Sequence, residues 1–185
     1  MWGWHSWSVA YAIEMFFDDV ADAVVRQLWR RLADRGLPNL GTHGHGRHRP
    51  HVSLTVADQS DRILGGEVRT DLEAAIGARR SLHLSFQALG TFAGNGGVLF
   101  LAVAPTSALL ELHDVVGEVF RNHRIDRWPH YLPGMWVPHC TLAMGLAPPQ
   151  QAAAVARLSG FEPFEAQVLD IGITDTTTGK TTTLH

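Results

Sequence analysis

The pattern of apolar and polar positions predicts a strand, a helix and a long loop at the start of the chain. Residues 7–17 are rich in aromatic and aliphatic types, which is typical of a β-strand. Apolar residues then recur at helical spacing, at Val20, Val24, Leu28 and Leu32. After Gly36 the chain is polar and rich in glycine and histidine as far as His48, which indicates a loop.

The rest of the first half contains a strand, a helix and a second strand. The first strand runs from Arg49 to Ala57 and the second from Leu82 to Phe92. Between them, one apolar stripe at helical spacing consists of Val68, Leu72, Ala75 and Ile76. The predicted order of elements in the first half is therefore strand, helix, loop, strand, helix, strand.

The second half repeats this order of elements. Asn95-Gly96 favours a tight turn, and the next strand covers Val98 to Val103. Thr106 is a plausible N-terminal cap for a helix with an apolar stripe at Leu109, Leu112, Val116 and Val119. A proline-containing loop leads to a strand from Trp136 to Gly145, then a helix from Pro148 to near Gly160, then a strand over about 161–174. The threonine-rich tail after Thr176 fits either a hairpin or a frayed end.

This duplicated order predicts an α+β protein with a single domain over residues 1–185. We expect two similar lobes, at about 7–92 and 97–175, each with an antiparallel sheet flanked by helices. The corresponding strands of the two lobes would face each other across a central cleft. Those two strands also carry the most informative residues of the chain.

A short motif occurs twice, as His51-Val52-Ser53-Leu54 and His139-Cys140-Thr141-Leu142, and each copy follows a proline. Successive side chains of a strand alternate between its faces. His51 therefore shares a face with Ser53, and His139 shares one with Thr141. Cys140 points to the opposite face, where it is expected to be a small core residue rather than a nucleophile.

Two facing pairs of imidazole and hydroxyl suit the hydrolysis of a cyclic phosphodiester. The reaction needs a base for water, an acid for the departing ribose oxygen, and donors for the phosphoryl oxygens. Imidazole can serve as either base or acid near neutral pH. Ser53 and Thr141 would donate hydrogen bonds that stabilise the charged transition state. This arrangement requires no metal ion or other cofactor.

The paired motifs, the duplicated lobes and the segment Leu89-Gly90-Thr91-Phe92 resemble the 2H phosphoesterase superfamily, especially its 2'-5' RNA ligase and cyclic phosphodiesterase branch. The resemblance implies that His51 and His139 are the catalytic acid and base, and that Ser53 and Thr141 hold the phosphate. It implies a nucleotide cyclic phosphate or an RNA end as substrate, a 2'-phosphate as product, and 2'-5' joining as the reverse reaction. RNA-ligase relatives often have an arginine five positions after a motif histidine, where this chain has Val56 and Met144.

Other residues are candidates for contacts with substrate. Arg49 lies two positions before His51 and would share its face in a long strand. Before the second motif, guanidinium and aromatic side chains that suit phosphate and base contacts are Arg121, Arg124, Arg127, Trp128 and Tyr131. From this region and the strand after it, Tyr131 and Trp136 are predicted to bind substrate.

Three alternatives to this activity stay open. The same fold could capture nucleotides or RNA ends without turnover. The histidine-rich loop from Thr42 to His48 could instead hold zinc or nickel and make the protein a metal-dependent hydrolase, although no carboxylate or thiolate accompanies it. The third alternative is a different phosphodiester, such as a 2'-5' oligonucleotide or a cyclic phosphate on an ADP-ribose derivative.

Composition limits the class of protein but does not indicate which reaction it catalyses. The chain has 185 residues, 45% of them hydrophobic, which is enough for a substantial core. Its formal net charge of -3 argues against a broad basic surface for long nucleic acids. One cysteine cannot form an intrachain disulfide, and no apolar run is long enough for a membrane span. We expect a cytoplasmic monomer with no membrane partner.

Overall fold

A computed structural model of the protein describes residues 10–58, 60–77, 82–92 and 96–184. Its strands are β1 (Tyr11–Phe17), β2 (His51–Ala57), β3 (His83–Thr91), β4 (Leu99–Val103), β5 (His139–Ala143), β6 (Phe164–Asp175) and β7 (Thr181–Leu184). Its α-helices are α1 (Asp19–Ala33), α2 (Ser60–Ile63), α3 (Gly66–Gly77), α4 (Ser107–Asn122) and α5 (Pro148–Leu158). Short 3-10 turns occur at Leu40–Thr42 and Pro129–Tyr131.

The strands form one antiparallel sheet in the order β2-β1-β6-β3-β4-β5, with β7 also paired to β6. The first half of β6 pairs with β3 and its second half pairs with β1. The two strands at the ends of this order, β2 and β5, contact each other. The α+β class and the antiparallel sheet are confirmed, and the sheet brings the two motif strands together.

Strand pairing crosses the predicted boundary between the lobes. The strand at the end of the first half, β3, pairs with β4 and β6 instead of β1 or β2. The strand at the end of the second half, β6, pairs with β1 along Val168 to Asp175. The last strand of each half thus pairs with strands of the other half. Because β6 pairs with both β3 and β1, it joins the two parts of the sheet.

Several element boundaries differ from the sequence prediction. The motif strands were predicted from Arg49 and from Trp136, but they begin at His51 and His139. Each is preceded by a proline, which lacks the N–H that would extend the strand pairing. The threonine-rich tail forms a hairpin, β6–β7. The start of the first predicted strand at residues 7–9 and Asn95 of the predicted turn lie outside the described residues.

The helices bury the faces that cover the sheet. In α1 the Asp18 carboxylate caps the helix by accepting from the N–H groups of Val20 and Ala21. The predicted stripe of α1 is partly wrong, because Val20 is 75% exposed. Its buried residues are Ala21, Val25, Leu28, Trp29 and Leu32. In α4 the predicted cap and apolar stripe are both confirmed, since Leu109 N–H donates to Thr106 Oγ1 and the stripe is buried.

Among the described residues, no helix has both the length and the apolar character needed to cross a lipid bilayer.

Candidate active site

The two motifs present the same alternation of buried and accessible residues. In β2, His51 and Ser53 are partly exposed, whereas Val52 and Leu54 are buried. In β5, His139 and Thr141 are partly exposed, whereas Cys140 and Leu142 are buried. Each imidazole therefore shares one face of its strand with a hydroxyl, as the alternation predicts.

A β-bulge occurs at the same point of both motifs. Ile13 and Glu14 of β1 pair with Thr55 and Ser53, so Leu54 has no direct partner. Leu99 and Phe100 of β4 pair with Ala143 and Thr141, so Leu142 has none. A bulge changes which side chains share a face beyond it. In the first motif this change turns Thr55 into the core and Val56 towards a small cluster with Ala10, Ala12 and Tyr131.

Both motif histidines are oriented by the same backbone hydrogen bond. His51 Nδ1 lies 2.7 Å from the carbonyl oxygen of Arg49, and His139 Nδ1 lies 2.6 Å from that of Val137. A carbonyl only accepts, so each Nδ1 must carry a proton and donate it. In the neutral imidazole, Nε2 is then the unprotonated nitrogen, which can accept a proton.

The motif strands meet at Cys140. The thiol of Cys140 on β5 makes a hydrogen bond with the backbone of His51 on β2. Burial raises the pKa of the Cys140 thiol to about 12, so it is protonated at neutral pH. The prediction that Cys140 is a core residue is confirmed, because its side chain is buried in the main hydrophobic cluster.

His139 lies in apolar surroundings. Its ring contacts Phe92 edge-on, with centroids 4.9 Å apart, and Phe100, with centroids 5.2 Å apart. Burial lowers the pKa of His139, and the nearby His51 lowers it further, while the hydrogen bond to Val137 acts in the opposite direction. His139 is therefore held as a neutral imidazole whose Nε2 can accept a proton.

His51 has a carboxylate neighbour that the sequence analysis did not identify. Glu14 on β1 places Oε1 3.3 Å from His51 Nε2, with only 8% of the Glu14 side chain exposed. Glu14 interrupts the apolar segment Tyr11–Phe17, and a buried carboxylate is rare unless it is paired. That isolated charge in a buried strand is the sequence feature that could have revealed it.

Tyr131 and Trp136 contact Ser53 from the segment before β5. Tyr131 makes a side-chain hydrogen bond with Ser53, and the Trp136 indole N–H donates to the Ser53 carbonyl at 3.1 Å. Trp136 also stacks on the buried His113 of α4, with centroids 4.2 Å apart. One face of the Trp136 ring is thus covered by protein. The roles of Tyr131 and Trp136 towards substrate stay predictions.

Arg49 and the histidine-rich loop lie beside His51. The guanidinium carbon of Arg49 is 4.2 Å from the centroid of Phe16, and Arg49 is exposed. A shallow groove extends from Glu14 and His51 between this loop and the β6–β7 hairpin, and its other lining residues include His45, Arg47, His48 and Thr181. The loop therefore forms one side of the site.

The loop histidines stack on one another. The His45 and His48 rings are 4.2 Å apart. Burial, with the charges of His45, His51 and His43, lowers the pKa of His48 to about 4. Within the described parts of the chain, no group of three or more histidine, cysteine or acidic side chains is arranged to hold a metal ion.

Some residues of the arginine-rich segment before the second motif pack against the protein, and others are exposed. Arg127 packs against Gly117 of α4, and Arg121 pairs with Glu118 at 2.6 Å. Trp128 is 41% exposed, and its indole N–H donates to Asp58 at 2.9 Å. Most of this group therefore contacts protein rather than an open cleft.

Comparison with known families identifies the relationship of this chain. The model of the 2'-5' RNA ligase superfamily matches residues 17–180, which include both motifs. The chain belongs to the 2'-5' RNA ligase superfamily. The resemblance inferred from the two motifs is thus confirmed. A search of curated protein sequences gave no match.

Solved structures of low sequence identity share the fold of this superfamily member. Escherichia coli LigT complexed with 3'-AMP has a TM-score of 0.60 and 13% identity, over 97% of this chain and 96% of LigT. The protein TT0787 of Thermus thermophilus has a TM-score of 0.61 and 16% identity, over 95% of each chain. Kluyveromyces marxianus Usb1 with uridine monophosphate has a TM-score of 0.52 and 14% identity, over 96% of this chain and 97% of Usb1.

Membership of the 2'-5' RNA ligase superfamily identifies the protein as an enzyme of the 2H phosphoesterase type, which acts on phosphoric diesters. The residues matched by the family model include both motif strands, whose geometry is described above. The strands β2 and β5 carry the two motif histidines, His51 and His139, and both lie within the matched residues 17–180.

Proposed function

We propose that the protein hydrolyses 2',3'-cyclic phosphates of nucleotides or RNA ends to 2'-phosphates, using His51, Ser53, His139 and Thr141. The observation that carries this proposal is the matched geometry of the motif histidines. Each donates Nδ1–H to the carbonyl two residues before it. Two Nε2 atoms are thereby available for proton transfer on the two strands that end the sheet order and contact each other, as an in-line reaction at phosphorus requires.

The roles follow from the groups on each strand. One imidazole takes a proton from water as the water oxygen attacks phosphorus. The other gives a proton to the 3'-oxygen as its bond to phosphorus breaks. Ser53 and Thr141 donate hydrogen bonds to the nonbridging oxygens, on which charge accumulates in the transition state. The protein groups can thus complete the proton transfers without a metal ion.

The contact between Tyr131 and Ser53 supports the phosphate-binding role of Ser53. A serine hydroxyl has one proton to donate and can accept hydrogen bonds at its lone pairs. The two hydroxyls are in contact, and either can be the donor. In the proposed complex Tyr131 donates to Ser53 Oγ, and Ser53 turns its own proton to a phosphoryl oxygen. The Trp136 bond to the Ser53 carbonyl holds the strand in place.

Ligands of the structural neighbours support a nucleotide as substrate. LigT has been crystallised with 3'-AMP and with NADP+, and Usb1 with uridine monophosphate. A groove lined by Arg47 and Arg49 beside His51 would accept the anionic part of such a molecule. The reverse reaction, 2'-5' joining of RNA ends, would use the same groups.

The test is incubation of the purified protein, in the presence of a chelator, with nucleoside 2',3'-cyclic monophosphates, followed by phosphorus NMR. We expect a 2'-monophosphate to form. His51→Ala and His139→Ala should each lower kcat/KM by about 100-fold or more, because each removes a proton-transfer group. Full activity of the double variant would contradict the proposal. Tight binding of the nucleotide without turnover would instead favour a capture function.

A further inference from the structure

The two halves of the site are equivalent in their motifs but differ in one neighbouring side chain. In the first half Glu14 pairs with Ser53 and Phe16 pairs with His51. In the second half Phe100 pairs with Thr141 and Ala102 pairs with His139. Because both pairings have the bulge at the same point, Glu14 and Phe100 occupy corresponding positions. One histidine therefore has a carboxylate neighbour where the other has a phenyl ring.

The carboxylate of Glu14 faces the proton-transfer nitrogen of His51. Glu14 Oε1 is 3.3 Å from His51 Nε2, and both side chains are largely buried, with exposed fractions of 8% and 13%. The other nitrogen, Nδ1, donates to the Arg49 carbonyl. A proton on Nε2 would thus complete an ion pair, whereas a neutral imidazole would place two acceptors against each other.

The other titratable groups near this pair come from three separate elements. Tyr131 lies on the 3-10 turn Pro129–Tyr131, and its pKa is raised to about 12, mainly by burial and further by the charge of Glu14. His48 lies in the histidine-rich loop, and His139 on β5 is the opposite proton-transfer group. Tyr131 is neutral, and the lowered pKa values of His48 and His139 favour their neutral forms. Among the described residues around this pair, Glu14 therefore supplies the negative charge next to His51 Nε2.

Two cationic side chains also line the groove beside this pair. Arg47 and Arg49 are both exposed, so solvent screens their repulsion of a protonated His51. Glu14 is screened less, because it is largely buried against His51. The carboxylate therefore has the larger effect on the proton of Nε2.

We propose that Glu14 is a positioning residue that gives the site a direction, by holding a proton on His51 Nε2 so that His51 serves as the acid and His139 as the base. The inference rests on the proposed function for its catalytic part. Water then loses a proton to His139 Nε2 as its oxygen bonds to phosphorus. The bond from phosphorus to the 3'-oxygen breaks, and that oxygen takes the proton of His51. Exchange with solvent returns both histidines to their starting states.

The geometry allows substrate to take over the proton. The separation of 3.3 Å is longer than the usual N–H···O distance of about 2.9 to 3.0 Å. A leaving oxygen near Nε2 can therefore share or replace the bond to Glu14. The carboxylate keeps the proton in place until substrate arrives and does not need to touch the reacting atoms.

The first test does not depend on turnover. Long-range ¹H–¹⁵N NMR of imidazole side chains reports which ring nitrogens carry protons, and His51→Ala and His139→Ala assign the two signals. At neutral pH we expect a smaller fraction of His51 Nε2 to carry a proton in Glu14→Gln than in the unmodified protein, since the carboxylate 3.3 Å away forms an ion pair with the imidazolium. Glu14→Asp should restore part of this difference. Glu165→Gln, which removes an exposed carboxylate from β6, is the matched control and should change nothing.

The second test uses the pH dependence of kcat/KM for a nucleoside 2',3'-cyclic phosphate. In Glu14→Gln the alkaline limb of this profile should move towards acid, so that kcat/KM falls most at alkaline pH. The acid limb, which belongs to the base His139, should stay in place. A purely structural role of Glu14 would lower the rate equally at every pH.

The two tests separate failure of this inference from failure of the proposed function. If Glu14→Gln leaves the protonation of His51 Nε2 unchanged, or shifts that of His139 equally, Glu14 does not set the direction. If the NMR difference occurs but no cyclic phosphate is hydrolysed, Glu14 still holds the proton and it is the proposed substrate that is wrong. Thermal unfolding of each variant confirms that the comparison is made on folded protein.

Discussion

At the scale of single residues, the same motif acquires different properties from its neighbours. His51 and His139 have matching Nδ1 hydrogen bonds, but Glu14 lies beside one and Phe92 and Phe100 beside the other. The hydroxyl residues differ as well, because Ser53 is bonded to Tyr131. The chemical properties of the two imidazoles therefore depend on side chains outside the motif.

The contact between Tyr131 and Ser53 leads to a prediction for Tyr131→Phe. This change removes one hydrogen bond to Ser53 while keeping the ring that packs on the cluster of Ala10, Ala12 and Val56. We expect kcat/KM for a 2',3'-cyclic nucleotide to fall about fivefold, which corresponds to the loss of about 1 kcal/mol. Steady-state kinetics provides the measurement.

A double-mutant cycle shows whether Tyr131 acts through Ser53. In the background of Ser53→Ala, the change Tyr131→Phe should have little further effect, because the partner of the hydroxyl is already absent. Independent effects of equal size in both backgrounds would contradict this relationship and would assign Tyr131 a separate contact.

At the scale of elements, the aromatic surroundings of His139 depend on a glycine in β3. A Cβ built at Gly90 would approach Phe100 Cε2 and Cζ at 2.5 Å. Phe100 in turn stacks on Phe92, with centroids 4.3 Å apart, and both rings border His139. Gly90 therefore permits the close packing of β3 and β4 that forms the apolar side of the site.

Gly90→Ala should consequently affect both stability and activity. Displacement of the Phe100 ring in a packed site costs about 1 to 3 kcal/mol of unfolding free energy. It also disturbs the position of His139, so kcat/KM should decrease even at temperatures where the variant is folded. Chemical denaturation and kinetics measure the two effects. Gly66→Ala is a suitable control, since a Cβ there meets open space, and unchanged values for both variants would contradict the argument.

The elements themselves were largely predictable from local patterns, whereas their pairing was not. The helices α1, α3 and α4 and the motif strands follow from periodicity, proline positions and the Thr106 cap. The exchange of β3 and β6 between the halves depends on contacts between distant segments. The bulges at Leu54 and Leu142 likewise exist only when two strands are paired. Sequence alone could therefore locate His51 and His139 but not the contact with Glu14.

At the scale of the whole molecule, the histidines make stability dependent on mild acid. Burial lowers the pKa values of His48, to about 4, and of His113 and His139. The folded state therefore binds fewer protons than the unfolded state between pH 6.5 and about 4, so the free energy of unfolding rises with pH across this interval. Asp18 acts at lower pH, because the hydrogen bond from the Ala21 N–H lowers the pKa of its carboxyl below the ordinary value.

We expect the free energy of unfolding to fall by roughly 1 to 3 kcal/mol as pH decreases from 6.5 to 4, after allowance for solvent screening of the partly exposed His48. Denaturant unfolding monitored by tryptophan fluorescence at closely spaced pH values measures this slope. His48→Gln should make the slope shallower, because it removes a group that must take up a proton on unfolding. The exposed His130→Gln is the matched control and should leave the slope unchanged. Identical curves for the two variants would show that His48 does not contribute to the slope. A stability curve of the unmodified protein that is flat over this interval would show that these imidazoles are not buried in the neutral form. That result would also weaken the assignment of His139 as the base, since burial is what keeps it neutral.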